Sequence, residues 1–424
     1  MQYRAAVKYR YFQGAVIMPE KKRTDHDYTF ETVPESARRT FWPMFFIMLG
    51  FTFFSASMSV GATLGNGMDL GGFILTLLFG GAILSAYAGL LAYIGCDTGL
   101  SFDLLARCSF GILGSKLPST MIALTQIGWF GVGVAMFATP AALVLDIPPF
   151  ILVIAAGACM TASAYFGIHG LQIVSYISVP LISVLGVYSM AAATTAGGGL
   201  TEVFAKSSGG IPIIAGIGLV VGSFVSGGTT TPNFTRFASA NKVAVVTTVI
   251  AFFLGNSLMF AFGAVGGAFT GKDDIFYVMM AQGLLIPALI VLGANIWTTN
   301  DNALYSGGLG LSNITGIRKK PMVIAAGVIG TAFSVWIYNN FILFLVILNA
   351  TLPPIGAIII LDYFLNRKLY RQGREPKNNI NWGAVTGVVA GAFVGRFVHW
   401  GISSVNAMAV ACICFYVYTK MVKQ

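Results

Sequence analysis

Charged residues in this chain are rare and widely spaced. Between them run uncharged, mostly apolar stretches over 40–68, 70–96, 117–145, 147–201, 207–235, 243–271, 275–300, 321–361, 378–395 and 397–419. A helix needs about 20 apolar residues to cross the hydrocarbon core of a bilayer, so eight of these stretches hold one crossing each. The two long ones, 147–201 and 321–361, hold two, divided by polar breaks near His169–Gly170 and Tyr338–Asn339–Asn340. The pattern predicts an all-α polytopic membrane protein with twelve transmembrane helices. No polar segment is long enough for a soluble domain, so the expected organisation is a tail over 1–39 and a single transmembrane domain over 40–420.

Within that domain two spans share an unusual composition. Span one carries Gly50-Phe51-Thr52-Phe53-Phe54-Ser55-Ala56-Ser57, and span six carries Gly222-Ser223-Phe224-Val225-Ser226-Gly227-Gly228. Both are apolar helices interrupted by glycine, serine and threonine, and they stand five spans apart. A repeat of five helices must insert with inverted topology, and matched interruptions in two halves point to a transporter's binding site. Backbone groups freed by an unwound helix are tolerated in hydrocarbon only where they line a cavity or hold a ligand. The expected repeats cover about 40–195 and 208–365, with helices 1 and 6 broken and two extra helices over about 380–420. Small residues that merely let helices pack closely are the alternative reading of each run taken singly.

The chain has 424 residues, of which 56% are hydrophobic and 9% charged, with a formal net charge of +10. That charge follows the membrane and not a nucleic acid. With an even number of spans both termini share a side, and 22 of the 25 Lys and Arg residues fall there, leaving only Lys206, Lys272 and Arg396 opposite. Such asymmetry places both termini in the cytoplasm. The five cysteines, Cys96, Cys108, Cys159, Cys412 and Cys414, have no metal spacing and read as inert membrane thiols. The start of the chain has basic residues but no secretory signal. Met18 opens a charged, solvated tail, so residues 1–17 are not expected in the mature protein. Enzymatic motifs are absent: the three histidines have no metal-ligand companions, and there is no nucleophile elbow, phosphate loop or pair of carboxylates in a span. No cofactor is expected.

Three polar clusters lie inside the spans instead. In span three, Gln126 and Trp129 sit three residues apart on one helical face, with Trp129 between Gly128 and Gly131. An amide in mid-membrane is costly unless bonded, whether to another helix or to a ligand. In span six, Ser223 and Ser226 flank Phe224. In span eight, Asn295, Thr298, Thr299 and Asn302 follow the i, i+3, i+4, i+7 rule and line one face, opposite which a sodium ion held by neutral oxygens would fit. Asp301 in the same span is a proton acceptor or conformational lock by default, or else a pairing partner near the end of the helix. Aromatic faces, an amide, hydroxyls and no fixed charge suit a small, flat, uncharged heteroaromatic ring, since stacking is worth about 1–3 kcal/mol per base.

Four runs carry a resemblance. Leu49-Gly50-Phe51-Thr52-Phe53-Phe54-Ser55-Ala56-Ser57-Met58, Leu104-Leu105-Ala106-Arg107-Cys108-Ser109-Phe110-Gly111, Gln126-Ile127-Gly128-Trp129-Phe130-Gly131-Val132-Gly133 and Asn295-Ile296-Trp297-Thr298-Thr299-Asn300-Asp301-Asn302-Ala303-Leu304-Tyr305 resemble the nucleobase–cation symporter-1 family, in particular its cytosine permeases. The resemblance covers about residues 32–420. It implies the five-plus-five inverted-repeat fold of the amino-acid/sodium symporters and sodium-coupled import of cytosine across a bacterial inner membrane by a monomer surrounded by lipid. The substrate set it implies is Gln126, Trp129, Ser223, Phe224, Ser226, Asn295 and Asn300, with Phe54 and Ser55 at the break; Trp129 and Phe224 would sandwich the base. The sodium set is Gly50, Phe53, Asn295, Thr298 and Thr299. Other members of the family have tryptophan where this chain has Phe224, and a smaller platform suits a single ring. Uracil, hydantoin, allantoin or a purine, and proton coupling through Asp301, are the alternatives.

Overall fold

A backbone in hydrocarbon has no water to bond, so each uncharged stretch must satisfy its own amides and carbonyls as helix. A computed structural model describes residues 27–166, 168–371, 379–398 and 400–422, and the expectation about residues 1–17 lies outside them. Twelve crossing segments follow in order. Span one is Phe41–Thr52 plus Ser55–Gly67, span two Leu70–Thr98, span three Lys116–Leu145 and span four Pro149–Ala164. Span five is Ile168–Ala196, span six Ile213–Thr230 plus Pro232–Thr235, and span seven Asn241–Thr270 with a π-helical turn over Ile250–Gly255. Span eight is Leu285–Thr315, span nine Lys319–Asn339, span ten Phe341–Thr351 plus Pro353–Leu365, span eleven Trp382–Phe397 and span twelve Ser403–Val422. The two predicted double stretches divide as expected, although span five already starts at Ile168, ahead of the polar pair at His169–Gly170.

Residues that punctuate the apolar runs also cap the helices. The Asp69 carboxylate accepts from the Gly72 amide at 2.7 Å at the start of span two, and Ser101 caps the short helix Phe102–Phe110 by accepting from Leu104. Burial separates core from periphery. The most apolar part of span three is 78% buried and that of span six 72%, against 28% for span nine and 17% for span twelve. Spans one, three, six and eight therefore form the centre. Span eight is the polar member of that group, with Asn295, Thr298, Asn300, Asp301 and Asn302 all within 1% of complete burial.

The two interrupted spans differ. Span one bends by 50° between its halves, with Phe53 (φ −77°, ψ 90°) and Phe54 (φ −133°, ψ 131°) extended. Span six runs as unbroken helix through 222–228, where the sequence suggested unwinding, and is interrupted only at Thr231, just before Pro232. Proline has no amide to donate and starts the short second helix.

Asp27 to Thr40 is docked, contrary to the expectation of a solvated tail. Asp27 forms a 2.7 Å ion pair with Lys319, and both side chains are buried. Arg236, fully buried, donates to the Asp27 carbonyl at 2.7 Å, the Tyr28 carbonyl at 2.9 Å and the Tyr305 hydroxyl at 3.1 Å. Arg39 donates to Gln172, and the Val33 amide to the Gly99 carbonyl at 3.1 Å. A buried cation needs a paired charge or several acceptors, and this segment supplies them. It thereby straps the ends of spans two, five, six, eight and nine on one face.

Candidate substrate cavity and ion site

Among the buried residues of the core, a small cavity is bounded by spans one, three, six and eight. Span three contributes Gln126 and Trp129 and span six contributes Ser223, Phe224 and Ser226. Phe51 and Phe54 close it from span one, and Thr299 and Ala303 from span eight. The one-face spacing of Gln126 and Trp129 thus turns both side chains to the same space. The cavity measures about 20 Å³, room for one water.

Its walls are rings set edge to face. Trp129 packs against Phe54 at 5.7 Å and Phe344 at 5.3 Å between centroids, both T-shaped. Phe224 packs likewise on Phe51 at 5.3 Å and Phe252 at 5.5 Å. Gly227 is required here, because a Cβ at that position would come within 2.6 Å of the Phe224 ring. The polar groups are buried and in part unanswered. Gln126 Nε2 and Trp129 Nε1 have no hydrogen-bond acceptor among the described residues, and a buried donor left unpaired costs about 1–3 kcal/mol. Ser223 is satisfied within its own helix, donating to the Val220 carbonyl at 2.9 Å.

Three residues expected to hold the substrate lie elsewhere. Asn295 bridges the break in span one: its Nδ2 donates to the Phe53 carbonyl at 2.5 Å and its Oδ1 accepts from Ser55 Oγ at 2.8 Å. Both ends of the amide are thereby used, and Ser55 is drawn away from the cavity with it. Asn300 points toward spans three and four, donating to the Phe130 carbonyl at 3.2 Å and to Met160 Sδ at 3.1 Å. A helix turns about 100° per residue, so a residue next to Thr299 does not share its face.

Of the five expected sodium ligands, three have oxygens that lie close together. Thr299 Oγ1 lies 3.4 Å from the Phe53 carbonyl and 3.5 Å from the Asn295 carbonyl. Thr298 sits one residue round, with its Oγ1 2.5 Å from Ser178 Oγ in span five. Gly50 allows the approach of the helices, since a Cβ there would meet Ser175 Oγ at 2.2 Å and Thr298 Cγ2 at 3.0 Å. These neutral oxygens are of the kind a hard cation accepts. Sequence reasoning missed Ser178, which lies in an apolar stretch with nothing in its spacing to mark it, and Phe51, Gly227 and Ala303 in the cavity wall. Phe51, Gly227 and Ala303 lay within runs already singled out, and Ser178 did not.

Asp301 faces away from both sites. One carboxylate oxygen accepts from Ser163 Oγ in span four at 2.6 Å, a hydroxyl that also accepts from Trp297 Nε1 at 2.7 Å. The other oxygen is buried with no donor among the described residues.

Comparison with known proteins agrees with this architecture. Residues 32–417 match the family model described as permease for cytosine/purines, uracil, thiamine, allantoin. A cytosine permease of Escherichia coli K12 is 45% identical over 404 residues, covering 94% of this chain and 96% of the relative. A hydantoin permease of Microbacterium maritypicum is 26% identical over 64% of this chain and 61% of its own length. In fold, the chain is similar to Mhp1, a nucleobase-cation-symport-1 family transporter, in a closed conformation with bromovinylhydantoin bound, with a TM-score of 0.78 at 20% identity over 92% of this chain and 94% of that one. A twelve-span helical membrane protein with this fold, this family match and a relative of this identity is a permease and not an enzyme, and the chain belongs to the family of permeases for cytosine/purines, uracil, thiamine and allantoin.

Proposed function

We propose that the protein is a secondary active transporter that imports cytosine across the bacterial cytoplasmic membrane, coupled to sodium by alternating access, with both termini cytoplasmic. The observation that carries this reading is the cavity itself. Two aromatic side chains, Trp129 and Phe224, stand on its walls beside a glutamine amide whose donor is unanswered, and no charged side chain lines it. A neutral ring with mixed hydrogen-bonding edges answers that set: Gln126 and Ser226 meet its edge, and Trp129 and Phe224 its faces. Entry of the ring requires Trp129 and Phe224 to separate, because about 20 Å³ does not admit a pyrimidine.

Sodium would be held as co-substrate by the carbonyls of Gly50, Phe53 and Asn295 and the hydroxyls of Thr298 and Thr299. Those ligands come from span eight and from the break in span one, so the ion would tie the two together, and the break also bears Phe54 of the cavity wall. Coupling then follows by linkage: what sodium gives to cytosine binding, cytosine gives to sodium binding. The 45% identical cytosine permease supports the choice of base. The test is uptake of labelled cytosine into proteoliposomes with and without an inward sodium gradient, with uracil, hydantoin, allantoin and adenine as competitors. Sodium-driven uptake suppressed by cytosine above the others is expected, and uptake indifferent to sodium would overturn the coupling.

One observation favours a second reading of the coupling. The unanswered carboxylate oxygen of Asp301 is a site for a proton. Under proton coupling, Asp301→Asn abolishes concentrative uptake and the threonine variants keep it.

A further inference from the structure

Spans four and nine run antiparallel at the edge of the bundle and enclose a trough of about 720 Å³ on their outer face. Its floor is a reciprocal contact. A Cβ at Gly157 would lie 2.2 Å from Thr331 Oγ1, and one at Gly327 would lie 2.1 Å from Thr161 Oγ1. The helices therefore touch at two points, while Ile154 and Val328 (60% and 64% exposed) form the rim. The lining is almost wholly apolar, and Thr331 spends its hydroxyl on its own helix, donating to the Gly327 carbonyl at 2.7 Å. From Ile154 to Tyr165 is eleven residues, about 16 Å of helix at 1.5 Å per residue, and so about one leaflet of a hydrocarbon core roughly 30 Å thick.

One end of the trough is cationic. Lys320 Nζ lies 4.8 Å over the ring of Tyr165, which reaches from span four across the mouth. Arg318 and Lys320 are exposed, and neither pairs with a carboxylate among the described residues. Lys319 between them differs, being buried in its pair with Asp27, which fixes this mouth on the face bearing the N-terminal segment. An apolar slot one leaflet deep, ending in a tyrosine with an exposed lysine over its ring and a second exposed cation two residues earlier in the chain, is complementary to an acyl chain carrying a negatively charged headgroup.

The geometry points to a binding site for an anionic phospholipid between spans four and nine, in the leaflet on the side of the N-terminal segment. Its chain lies along Gly157, Thr161, Gly327 and Thr331, and its phosphate is met by Lys320 and Arg318. The site bears on the rest of the protein through span nine, whose inner face presses on the span that carries Gln126 and Trp129: a Cβ at Gly330 would meet the Phe130 ring at 2.6 Å and the Ile127 carbonyl at 2.9 Å. A lipid in the trough braces that wall from outside.

The experiment uses the full chain, delipidated in detergent, with phosphatidylglycerol or phosphatidylcholine of identical chains added back. Bound lipid is counted by native mass spectrometry and thermal unfolding is followed. Each basic residue near an anionic headgroup is worth about fivefold in affinity. Wild type should retain phosphatidylglycerol over phosphatidylcholine by at least tenfold and melt higher with it. The Arg318→Gln/Lys320→Gln variant should lose that preference while binding cytosine like the wild type. Ala158→Phe, which fills the trough from an exposed position, should lose retention of both lipids. Equal retention of the two lipids by wild type, or an unchanged preference in the double variant, would overturn the proposal.

Discussion

Spans one and six hold equivalent places in the two halves and have similar runs of glycine, serine and an aromatic residue, yet only span one bends sharply. The difference lies in what answers the freed backbone. At Phe53 the carbonyl is taken by Asn295 Nδ2 and approached by Thr299, and Ser55 on the far side of the break is tied to the same asparagine. Span six answers itself. Its backbone ladder continues through the glycines, so no carbonyl is freed there, and Thr230 adds hydroxyl bonds back to the carbonyls of Ser226 and Gly227, as Thr229 does to that of Val225. Glycine and serine thus permit a break, and a polar side chain on another span makes it affordable in hydrocarbon.

Asn295→Ala should break the comparison most severely. It strips the Phe53 carbonyl and the Ser55 hydroxyl of their partner at once, at a cost of about 2–4 kcal/mol, and should lower the melting temperature in detergent markedly. A variant as stable as wild type would mean the break does not need its bridge.

Next come the cavity residues. Trp129→Ala and Gln126→Ala should each weaken cytosine binding at least tenfold with the fold intact, since a lost stacking face or edge bond is worth about 1–3 kcal/mol. Phe224→Tyr keeps a ring face and should lose less. Calorimetric titration with cytosine checks all three, and equal losses for Trp129→Ala and Phe224→Tyr would reduce Trp129 to packing.

The ion site should give a more selective effect. Thr299→Ala removes one oxygen facing the break, so sodium-stimulated cytosine binding should fall while binding without sodium changes little; Thr298→Ala should act in the same direction. Titrating sodium at fixed pH on these variants and on Asp301→Asn separates the two coupling schemes, and impairment of Asp301→Asn alone would remove the proposed ion site.

The smallest effect is expected in span six. Thr230→Val loses only a back-bond within its own helix and should cost about 0.5–1 kcal/mol. A loss as large as that of Asn295→Ala would show that both spans depend on side-chain support equally.

Much of this molecule was legible as sequence. Long uncharged stretches must become helices in a bilayer, whatever packs beside them, so the number of spans and many of their limits followed from the positions of Asp69, Asp146, Arg236 and other punctuating charges. Span eight, by contrast, starts later than its stretch and runs on through Asp301 to Thr315, and span ten runs past Asp362 to Leu365. Gln126 and Trp129 were legible as neighbours because three residues make nearly one turn. The docking of Asp27 under Lys319 was not, since a charged segment outside the hydrocarbon carries no mark of what it will meet.

What the chain determined by itself was therefore local: helix, span length, polar faces, and the places where a helix could yield. Tertiary structure alone decided which polar groups meet. Asn295 became a bridge across the break in span one because span eight sets it against the Phe53 carbonyl. Ser178 became a neighbour of Thr298 because Gly50 lets spans one, five and eight close together. The physical reason is range: periodicity reports a residue's angle on its own helix, whereas a hydrogen bond between spans depends on the azimuth, height and distance of two helices that no local pattern encodes.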